Sequence, residues 1–484
     1  MHLKYFLKLS PVFIFIMLAF SACKKDNQSF KYDQINDIKI TDAITTFTVP
    51  QLDSLIITPT LAQTMPEGDS FTYSWKLNTA TDTTTIAKTK NLRIKVTLSP
   101  GTYPVIYKVT SKRNGIYTVK QYTITVNGVY PDGWYIVNNK DGKGKVSLIR
   151  TDDVIFDNPM EVANNKTYPG KALALYNFGK GGFFYYFSDQ NVYRFNMNDW
   201  LDLGDKSSIL PGLATPLPFK TAPVFMINNL QFEQYIVADG NLYVGLSGAN
   251  SDNVKPFTQR IPGNYNLFPG IFPADYSMTY FYDNNTMSFM QMPYLSRILD
   301  RAPATPLTTN SFDMANVGKK MIAYDRGVTT LSQEGIEWYY IMEGNDGRYL
   351  LSLTGDGNST HPGVNQKMDS SPEIGSATNF ATSSILKQLY YTAGNNVYLY
   401  DMLAKSARLI YTFPTGYVIK DIEMKRSTSK QLVIGVNNGS AGEVYYFDIN
   451  AQENLTTVPT LRNLPALGKL CKLPLPDKIC RCNL

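Results

Sequence analysis

The chain has 484 residues, of which 43% are hydrophobic and 18% are charged, so it is long enough for two or three domains. This composition excludes an intrinsically disordered protein, which would be poorer in apolar residues. The formal charge of +6 is small and scattered along the chain, so nothing indicates nucleic acid as a partner.

The N-terminus has the pattern of a secretory signal. Lys4 and Lys8 precede an apolar run over residues 11–20, and Ser21-Ala22-Cys23 follows. A basic start, a short apolar stretch and small residues before a cleavage point are typical of such a signal. The apolar run is shorter than the roughly 20 residues that a membrane-spanning helix needs, which disfavours an uncleaved helix.

A cysteine directly after the small residues resembles a bacterial lipobox. The resemblance implies cleavage after Ala22 and lipidation of Cys23, with residues 1–22 as signal peptide and residues 23–37 as a tether. Lys24 is not the aspartate that favours inner-membrane retention, so an outer-membrane, cell-surface location is implied. No later apolar run reaches membrane-spanning length, and the lipid would be the membrane anchor.

Residues 38–128 are predicted to form an immunoglobulin-like β-sandwich. Short segments rich in β-branched and aromatic residues follow one another closely, with turn formers between them and no helical pattern. The predicted strands are Ser54–Ile57, Phe71–Leu77, Leu92–Leu98, Tyr103–Thr110 and Tyr117–Val126. Trp75 falls where the core tryptophan of such a sandwich would lie, although the segment has no cysteine for a disulfide.

The stretch Pro100-Gly101-Thr102-Tyr103 resembles a strand entry of polycystic-kidney-disease (PKD) domains. Together with the lipobox and Gly133-Trp134, the chain is similar to the PKD-like family lipoproteins of Bacteroidota. Tyr73–Leu77 stands where ordinary PKD domains carry Trp-Asp-Phe-Gly-Asp-Gly, so the resemblance is to the divergent branch. It implies a surface protein that works beside nutrient-uptake systems of the starch-utilisation type.

Residues 130–460 contain a recurring hairpin pattern. Two apolar, β-branched or aromatic segments are joined each time by Asn, Asp and Gly, which tolerate the positive φ of tight turns. The repeats begin about every 50 residues, a spacing typical of kelch-type propeller blades, so we predict a seven-bladed β-propeller. The first strands of the hairpins start at Trp134, Phe184, Tyr235, Tyr280, Tyr339, Tyr390 and Val433.

Three other segments carry expectations. Met290–Ala302 is predicted as a short surface helix from the spacing of Leu295, Ile298 and Leu299. The long Pro- and Gly-rich loops 211–223 and 252–273 are the expected places for binding, because such loops on a rigid scaffold usually carry it. Residues 461–484 are predicted to be an irregular tail.

The cysteines of that tail have no assigned role. Cys471, Cys480 and Cys482 are odd in number and fit no zinc-binding spacing, which leaves a disulfide in an exported protein as the alternative to no role at all.

The sequence contains little catalytic chemistry. The mature chain has one histidine, His361, and nothing near it marks a nucleophile, so no catalytic residue, metal site or cofactor is predicted. Two carboxylates suffice for glycoside hydrolysis, which leaves that reaction open. The recurring acidic residues are expected to serve the hairpin turns; they are Asp141, Asp189, Asp239, Asp283 and Asp346.

Aromatic residues are abundant, with 33 Tyr, 25 Phe and 4 Trp. Strand propensity accounts for most of them, and exposed rings would also suit sugar binding. The predicted function is therefore that of a non-catalytic lipoprotein that binds a glycan or peptide beside an outer-membrane importer complex. The alternatives are a scaffold or adhesion protein that docks another protein, and a propeller glycosidase or lyase.

Overall fold

The computed structural model describes residues 35–470 with short gaps. The gaps are 52, 66–67, 79–82, 99, 129–132, 151–153, 179–181, 215–216, 229, 231, 247–254, 308–310, 330–335, 358, 440, 450–459 and 463–468. Cys23 and Ala22, most of the predicted tether, and the three tail cysteines lie outside the described residues. The described chain is nearly all β and divides into two compact units, with the boundary at residues 125–126.

The first unit is the predicted β-sandwich. A five-stranded sheet has the order β2-β9-β8-β5-β6, and two-stranded sheets pair β1 with β4 and β3 with β7. The strands are β1 (Ile38–Ile40), β2 (Thr46–Pro50), β3 (Ser54–Ile57), β4 (Leu61–Gln63), β5 (Phe71–Asn78), β6 (Thr83–Ala87), β7 (Leu92–Lys95), β8 (Gly101–Ser111) and β9 (Tyr117–Asn127). All five strands expected from the sequence are present.

Trp75 is the centre of the sandwich core, as predicted. Its indole is fully buried, stacks on Tyr107 at a centroid distance of 4.2 Å and lies 5.4 Å from the ring of Tyr122. The indole Nε1 donates a hydrogen bond to the carbonyl of Thr89 at 3.0 Å, so the buried polar atom has a partner. Three packed aromatic rings therefore stabilise this sandwich without a disulfide.

The second unit is the predicted seven-bladed propeller. Its described residues form seven antiparallel sheets in chain order. Blade 1 contains β10 (Gly133–Lys140), β11 (Lys143–Arg150) and β12 (Ile155–Asp157), followed by helix α1 (Pro159–Asn164). Blade 2 contains β13 (Ala172–Phe178), β14 (Phe183–Ser188), β15 (Val192–Asn196) and β16 (Asp202–Asp205), followed by helix α2 (Lys206–Ile209).

The next three blades follow the same order. Blade 3 contains β17 (Val224–Ile227), β18 (Glu233–Ala238) and β19 (Asn241–Leu246). Blade 4 contains β20 (Phe272–Pro273), β21 (Met278–Asp283), β22 (Ser288–Pro293) and β23 (Asp300–Arg301). Blade 5 contains β24 (Lys320–Thr329), β25 (Ile336–Gly344), β26 (Gly347–Asp356) and β27 (Ser359–Lys367).

The last two blades complete the series. Blade 6 contains β28 (Asn379–Thr382), β29 (Gln388–Ala393), β30 (Asn396–Asp401) and β31 (Ser406–Thr412), after a 3₁₀ turn at Ile374–Ser376. Blade 7 contains β32 (Val418–Met424), β33 (Gln431–Asn437), β34 (Gly442–Asp448) and β35 (Thr460–Arg462), and β36 (Lys469–Leu470) follows. Each hairpin predicted from the sequence forms two adjacent strands of one blade, which are the two central strands in every four-stranded sheet and β18 with β19 in blade 3.

Apolar clusters join every blade to the next and join blade 7 back to blade 1, which closes the ring. A single four-stranded sheet cannot bury both of its faces, so each blade depends on its neighbours. Residues that share a cluster from the two sides of successive joints include Tyr135 and Phe184, Tyr185 and Phe225, Tyr235 and Phe281, Phe272 and Tyr340, Ile341 and Phe380, Leu399 and Ile422, and Tyr446 and Trp134.

The ring is closed by the segment that was predicted to be an irregular tail. β36 takes the inner position of blade 1, where Leu470 pairs with Asn138 and Lys469 pairs with Asn139. The prediction of irregular structure is thus wrong for 461–462 and 469–470. A two-residue strand needs little intrinsic propensity when an open sheet edge offers it backbone hydrogen bonds, which is why composition did not reveal it.

The predicted helix at Met290–Ala302 is also wrong. Met290 pairs with Phe281 inside blade 4, and β22 continues to Pro293. Leu295 has a φ of 59°, which ends any helical path, and its side chain and that of Ile298 are exposed. The helix-like spacing of apolar residues therefore arose by chance, because this segment consists of the end of β22 and the loop that follows it.

Candidate functional site

One end of the propeller carries both the hairpin tips and the segments that enter each blade; we call it the hairpin face. The register shows why, because the first residue of β17, Val224, lies beside Val237, two residues before the tip at Asp239-Gly240. The same holds in blade 5, where Lys320 pairs with Glu343. Loops of adjacent blades therefore meet on this face.

The recurring aspartates hold these entering segments in place. Asp239 Oδ1 accepts hydrogen bonds from the backbone N and Oγ1 of Thr221 at 2.8 and 3.0 Å, and Oδ2 accepts from the backbone N of Lys220 at 3.0 Å. Asp189 accepts from the N of Lys171 at 2.8 Å. Asp283 accepts from the N of Asn266 at 3.2 Å. The carboxylates thus position neighbouring segments as well as serving the hairpin tips.

Asp141 and Asp346 have different surroundings. Asp141 occupies the left-handed region with a φ of 52°, as its turn requires. Asp346 lies 3.1 Å from the Lys367 ammonium and accepts a hydrogen bond from the hydroxyl of Tyr349 at 3.0 Å. The hydrogen bond from Lys367, followed by that from Tyr349, lowers the pKa of Asp346 below its ordinary value. Both aspartates are exposed turn residues, as expected.

A cleft of about 350 Å³ opens on the hairpin face where blades 3 and 4 meet. This volume lies at the lower end of the range typical of small-ligand sites, about 300–1,000 Å³. Both long loops singled out in the sequence contribute to it, together with the tips of the hairpins of blades 3 and 4. The lining residues are Lys220, Thr221, Asp239, Gly240, Asn266, Leu267, Phe268, Pro269 and Asn284.

Some polar side chains of the cleft form hydrogen bonds within the protein, and others do not. Asp239 is bound as described above, and Asn284 accepts from the backbone N of Met321 at 2.9 Å and donates to its carbonyl at 3.1 Å. The side chains of Lys220 and Asn266 make no hydrogen bond or ion pair within the described part of the chain. These two side chains are therefore fully available to a ligand.

The apolar part of the cleft comes from Leu267, Phe268 and Pro269. Leu267 is buried, whereas Phe268 is half-buried and meets the ring of Tyr324 edge to face at 6.0 Å. A fixed aromatic ring beside polar groups suits a ligand with one apolar and one polar side. The sequence indicated the loops but not these individual residues, because only the fold brings 220, 240 and 266 together.

The opposite end of the propeller carries ion pairs between blades, in which the carboxylates are buried and the cations are partly exposed. Glu233 of blade 3 lies 2.8 Å from Arg297 of blade 4. Glu337 of blade 5 pairs with Lys387, which directly precedes β29 of blade 6. Asp325 of blade 5 pairs with Arg426, which precedes β33 of blade 7. Each carboxylate has a cationic partner, so these groups link blades structurally.

The remaining features considered from the sequence are the histidine, a metal site and a membrane-spanning helix. His361 lies on β27, is exposed, and its Nε2 is 3.3 Å from Asp356 Oδ2. Among the described residues, no three His, Cys, Asp or Glu side chains come together as metal ligands. No described helix is both long and apolar enough to span a membrane.

The aromatic residues mostly form the core. The largest fully buried side chains are all Trp or Tyr, and they lie in the sandwich core or at joints between blades. Among the large hydrophobic residues described as exposed, Tyr117 and Phe232 are the aromatic ones. Strand packing therefore explains the aromatic content, and the half-buried Phe268 is the ring that the cleft offers.

Residues 23–172 match the family model described as the PKD-like family. The match confirms the similarity to the PKD-like family that was predicted from the sequence. It covers the sandwich of the PKD-like segment and continues through β10–β12 of blade 1 to the first residue of β13. No curated protein matches the chain.

Several solved structures are similar to the chain. A quinonprotein alcohol dehydrogenase-like protein from Bacteroides thetaiotaomicron is 13% identical, with 88% of this chain and 96% of that chain covered and a TM-score of 0.41. A periplasmic gluconolactonase from Pseudomonas aeruginosa is 9% identical, with 71% and 99% covered and a TM-score of 0.45. A functionally unknown protein from Desulfotomaculum acetoxidans is 11% identical, with 70% and 99% covered and a TM-score of 0.43. Identities this low carry no information about activity.

Proposed function

We propose that the protein is a lipid-anchored binding protein of the outer-membrane surface that captures a glycan or peptide for an importer complex without converting it chemically. The observation that carries this proposal is the cleft between blades 3 and 4, where Lys220 and Asn266 present free polar groups beside Phe268. Asp239 and Asp283 hold the backbones of Lys220 and Asn266, and Phe268 packs against Tyr324, so the cleft is largely formed before a ligand arrives, which lowers the entropic cost of binding.

The ion pairs at the opposite end also favour binding over catalysis. Glu233 accepts from a backbone N–H and a tyrosine hydroxyl besides Arg297, so both of its oxygens accept hydrogen bonds from the protein. A general acid or base has to exchange a proton with substrate, and this carboxylate is committed to holding two blades together. The cleft itself contains one carboxylate, Asp239, whereas glycoside hydrolysis uses two.

The membrane anchor is testable at Cys23. We expect the Cys23→Ser variant to lose incorporation of labelled palmitate and to leave the membrane fraction, because serine has no thiol to lipidate. The measurement is labelling and fractionation of cells that express each variant. Cys471→Ser is the matched control and should keep both properties. A Cys23→Ser protein that remains membrane-bound would contradict the lipid anchor.

Ligand capture is testable with the chain from residue 24 onward. We expect immobilised protein to retain at least one member of a panel of oligosaccharides and peptides, and to return it chemically unchanged by mass spectrometry. Cleaved sugar products would instead favour a glycosidase or lyase. Retention of neither class, with specific capture of an outer-membrane protein, would favour the scaffold alternative.

A further inference from the structure

The polar groups that the cleft offers are better suited to a pair of ligand hydroxyls than to a charged ligand group. The Asn266 carboxamide can donate and accept at once, and the Lys220 ammonium offers three donors. Asp239 Oδ2 receives one hydrogen bond, from the Lys220 backbone N, and keeps one acceptor position. Adjacent sugar hydroxyls each donate and accept, so this mixed set matches two neighbouring hydroxyls.

The charge of the cleft favours a neutral ligand. Lys220 is the cation and Asp239 the anion among the lining residues, so their charges balance. An acidic sugar would bring its negative charge into the same cleft as Asp239 as well as Lys220, so the cleft offers it no net charge to bind. A peptide would instead need an open strand edge for its backbone, whereas loops and hairpin tips line this cleft.

Gly240 leaves space for the side chain of Asn266. This need for glycine is separate from the positive φ that the hairpin turn requires at the same position. A Cβ at position 240 would lie 2.0 Å from Asn266 Oδ1, so the amide occupies the space that any other residue would fill. Gly142, at the hairpin tip of blade 1, has nearly the same φ, 76° against 77°, but nothing lies within 4 Å of its added Cβ. The fold thus seats the Asn266 amide against the Gly240 backbone at the cleft wall.

We propose that the cleft binds the vicinal hydroxyl pair of a neutral sugar residue. Asn266 and Lys220 contact the hydroxyls, and the C–H face of the sugar ring packs on Phe268. This inference rests on the proposed function and narrows it, because it selects a neutral glycan over a peptide or an acidic glycan.

The first test compares neutral oligosaccharides before and after periodate oxidation, which cleaves the carbon–carbon bond between adjacent hydroxyls. The probes are gluco-, manno-, xylo- and galacto-oligosaccharides, measured by calorimetry with the chain from residue 24 onward. We expect at least one to bind and its oxidised form to bind at least tenfold more weakly. Binding that survives oxidation, or binding only of peptides or acidic glycans, would overturn the inference and leave ligand capture intact. Failure to bind any probe would overturn both proposals.

The second test uses variants. Asn266→Ala and Lys220→Ala should each weaken binding of that oligosaccharide at least tenfold, whereas Lys143→Ala, an exposed lysine outside the cleft, should not. Gly240→Ala and Gly142→Ala strain the backbone alike, so their melting temperatures should fall by similar amounts. Only Gly240→Ala should lose binding, because it alone displaces Asn266. Equal binding by the two glycine variants would contradict the proposed contact.

Discussion

The Glu233→Ala variant is expected to lose about 3–5 kcal/mol of the free energy of unfolding of the propeller. The Glu233 side chain is fully buried and accepts hydrogen bonds from Arg297 at 2.8 Å, the backbone N of Leu295 at 3.0 Å and the hydroxyl of Tyr235 at 2.8 Å. Alanine would leave all three donors without this acceptor, and two of them belong to blade 4.

The Tyr235 hydroxyl cannot compensate by ionising. Burial, reinforced by the neighbouring Glu233 carboxylate, raises the pKa of Tyr235 well above its ordinary value. The hydroxyl therefore stays protonated at all physiological pH values and needs an acceptor. Removal of Glu233 takes the close acceptor away from this buried donor and leaves the Thr279 hydroxyl, 3.4 Å away, as its neighbour, which adds to the loss of the ion pair with Arg297.

The measurement is the shift of the urea midpoint of the propeller transition, followed separately from that of the sandwich. Asp369→Ala is the matched control, because Asp369 forms an exposed ion pair with Lys367 at 3.3 Å. Exposed pairs contribute about 0–1 kcal/mol. Equal shifts for Glu233→Ala and Asp369→Ala would refute the structural role assigned to the buried pair.

The Phe272→Ala substitution is also expected to lower the free energy of unfolding of the propeller by about 3–5 kcal/mol, in this case because it removes buried packing. Phe272 is fully buried between blades 4 and 5, and its ring meets those of Tyr324, Tyr340 and Trp338 edge to face at 4.8, 4.9 and 5.8 Å. Alanine would open a cavity at the centre of this group and remove all three ring contacts.

Phe232→Ala provides the control for this substitution, because the Phe232 ring is half exposed and a surface change usually alters stability by less than about 0.5 kcal/mol. The urea midpoint of Phe272→Leu should lie between those of Phe272→Ala and Phe232→Ala, because leucine fills part of the cavity. The same urea titration measures all three variants. A Phe272→Ala midpoint close to that of Phe232→Ala would contradict the assigned packing.

The sequence predicted those parts of the fold whose signals are local. Each central hairpin carries its own alternation of apolar residues and its own Asn, Asp or Gly turn, so all seven were recognisable one at a time. The inner strands were harder to predict. β20 and β36 have two residues each, too few for any periodicity, and they exist because a neighbouring strand offers an open edge.

The candidate site was predictable in outline only. Loop length indicated where a cleft would form, and Asp239 was correctly assigned to a hairpin tip. Nothing in the sequence links Gly240 to Asn266, which is 26 positions further along and meets it only because the segment entering blade 4 passes over the tip of blade 3. Contacts of this kind depend on tertiary structure, so a local pattern cannot reveal them.

The pairing of β36 with β10 has a consequence for biosynthesis. The inner position of blade 1 is filled by Lys469 and Leu470, which leave the ribosome more than 300 residues after the strand they join. The sandwich can therefore fold during translation, whereas the propeller cannot complete its ring until residues 469–470 have been made. Until then the edge of β10 has no strand beside it, and an unpaired edge of this kind can pair with another molecule.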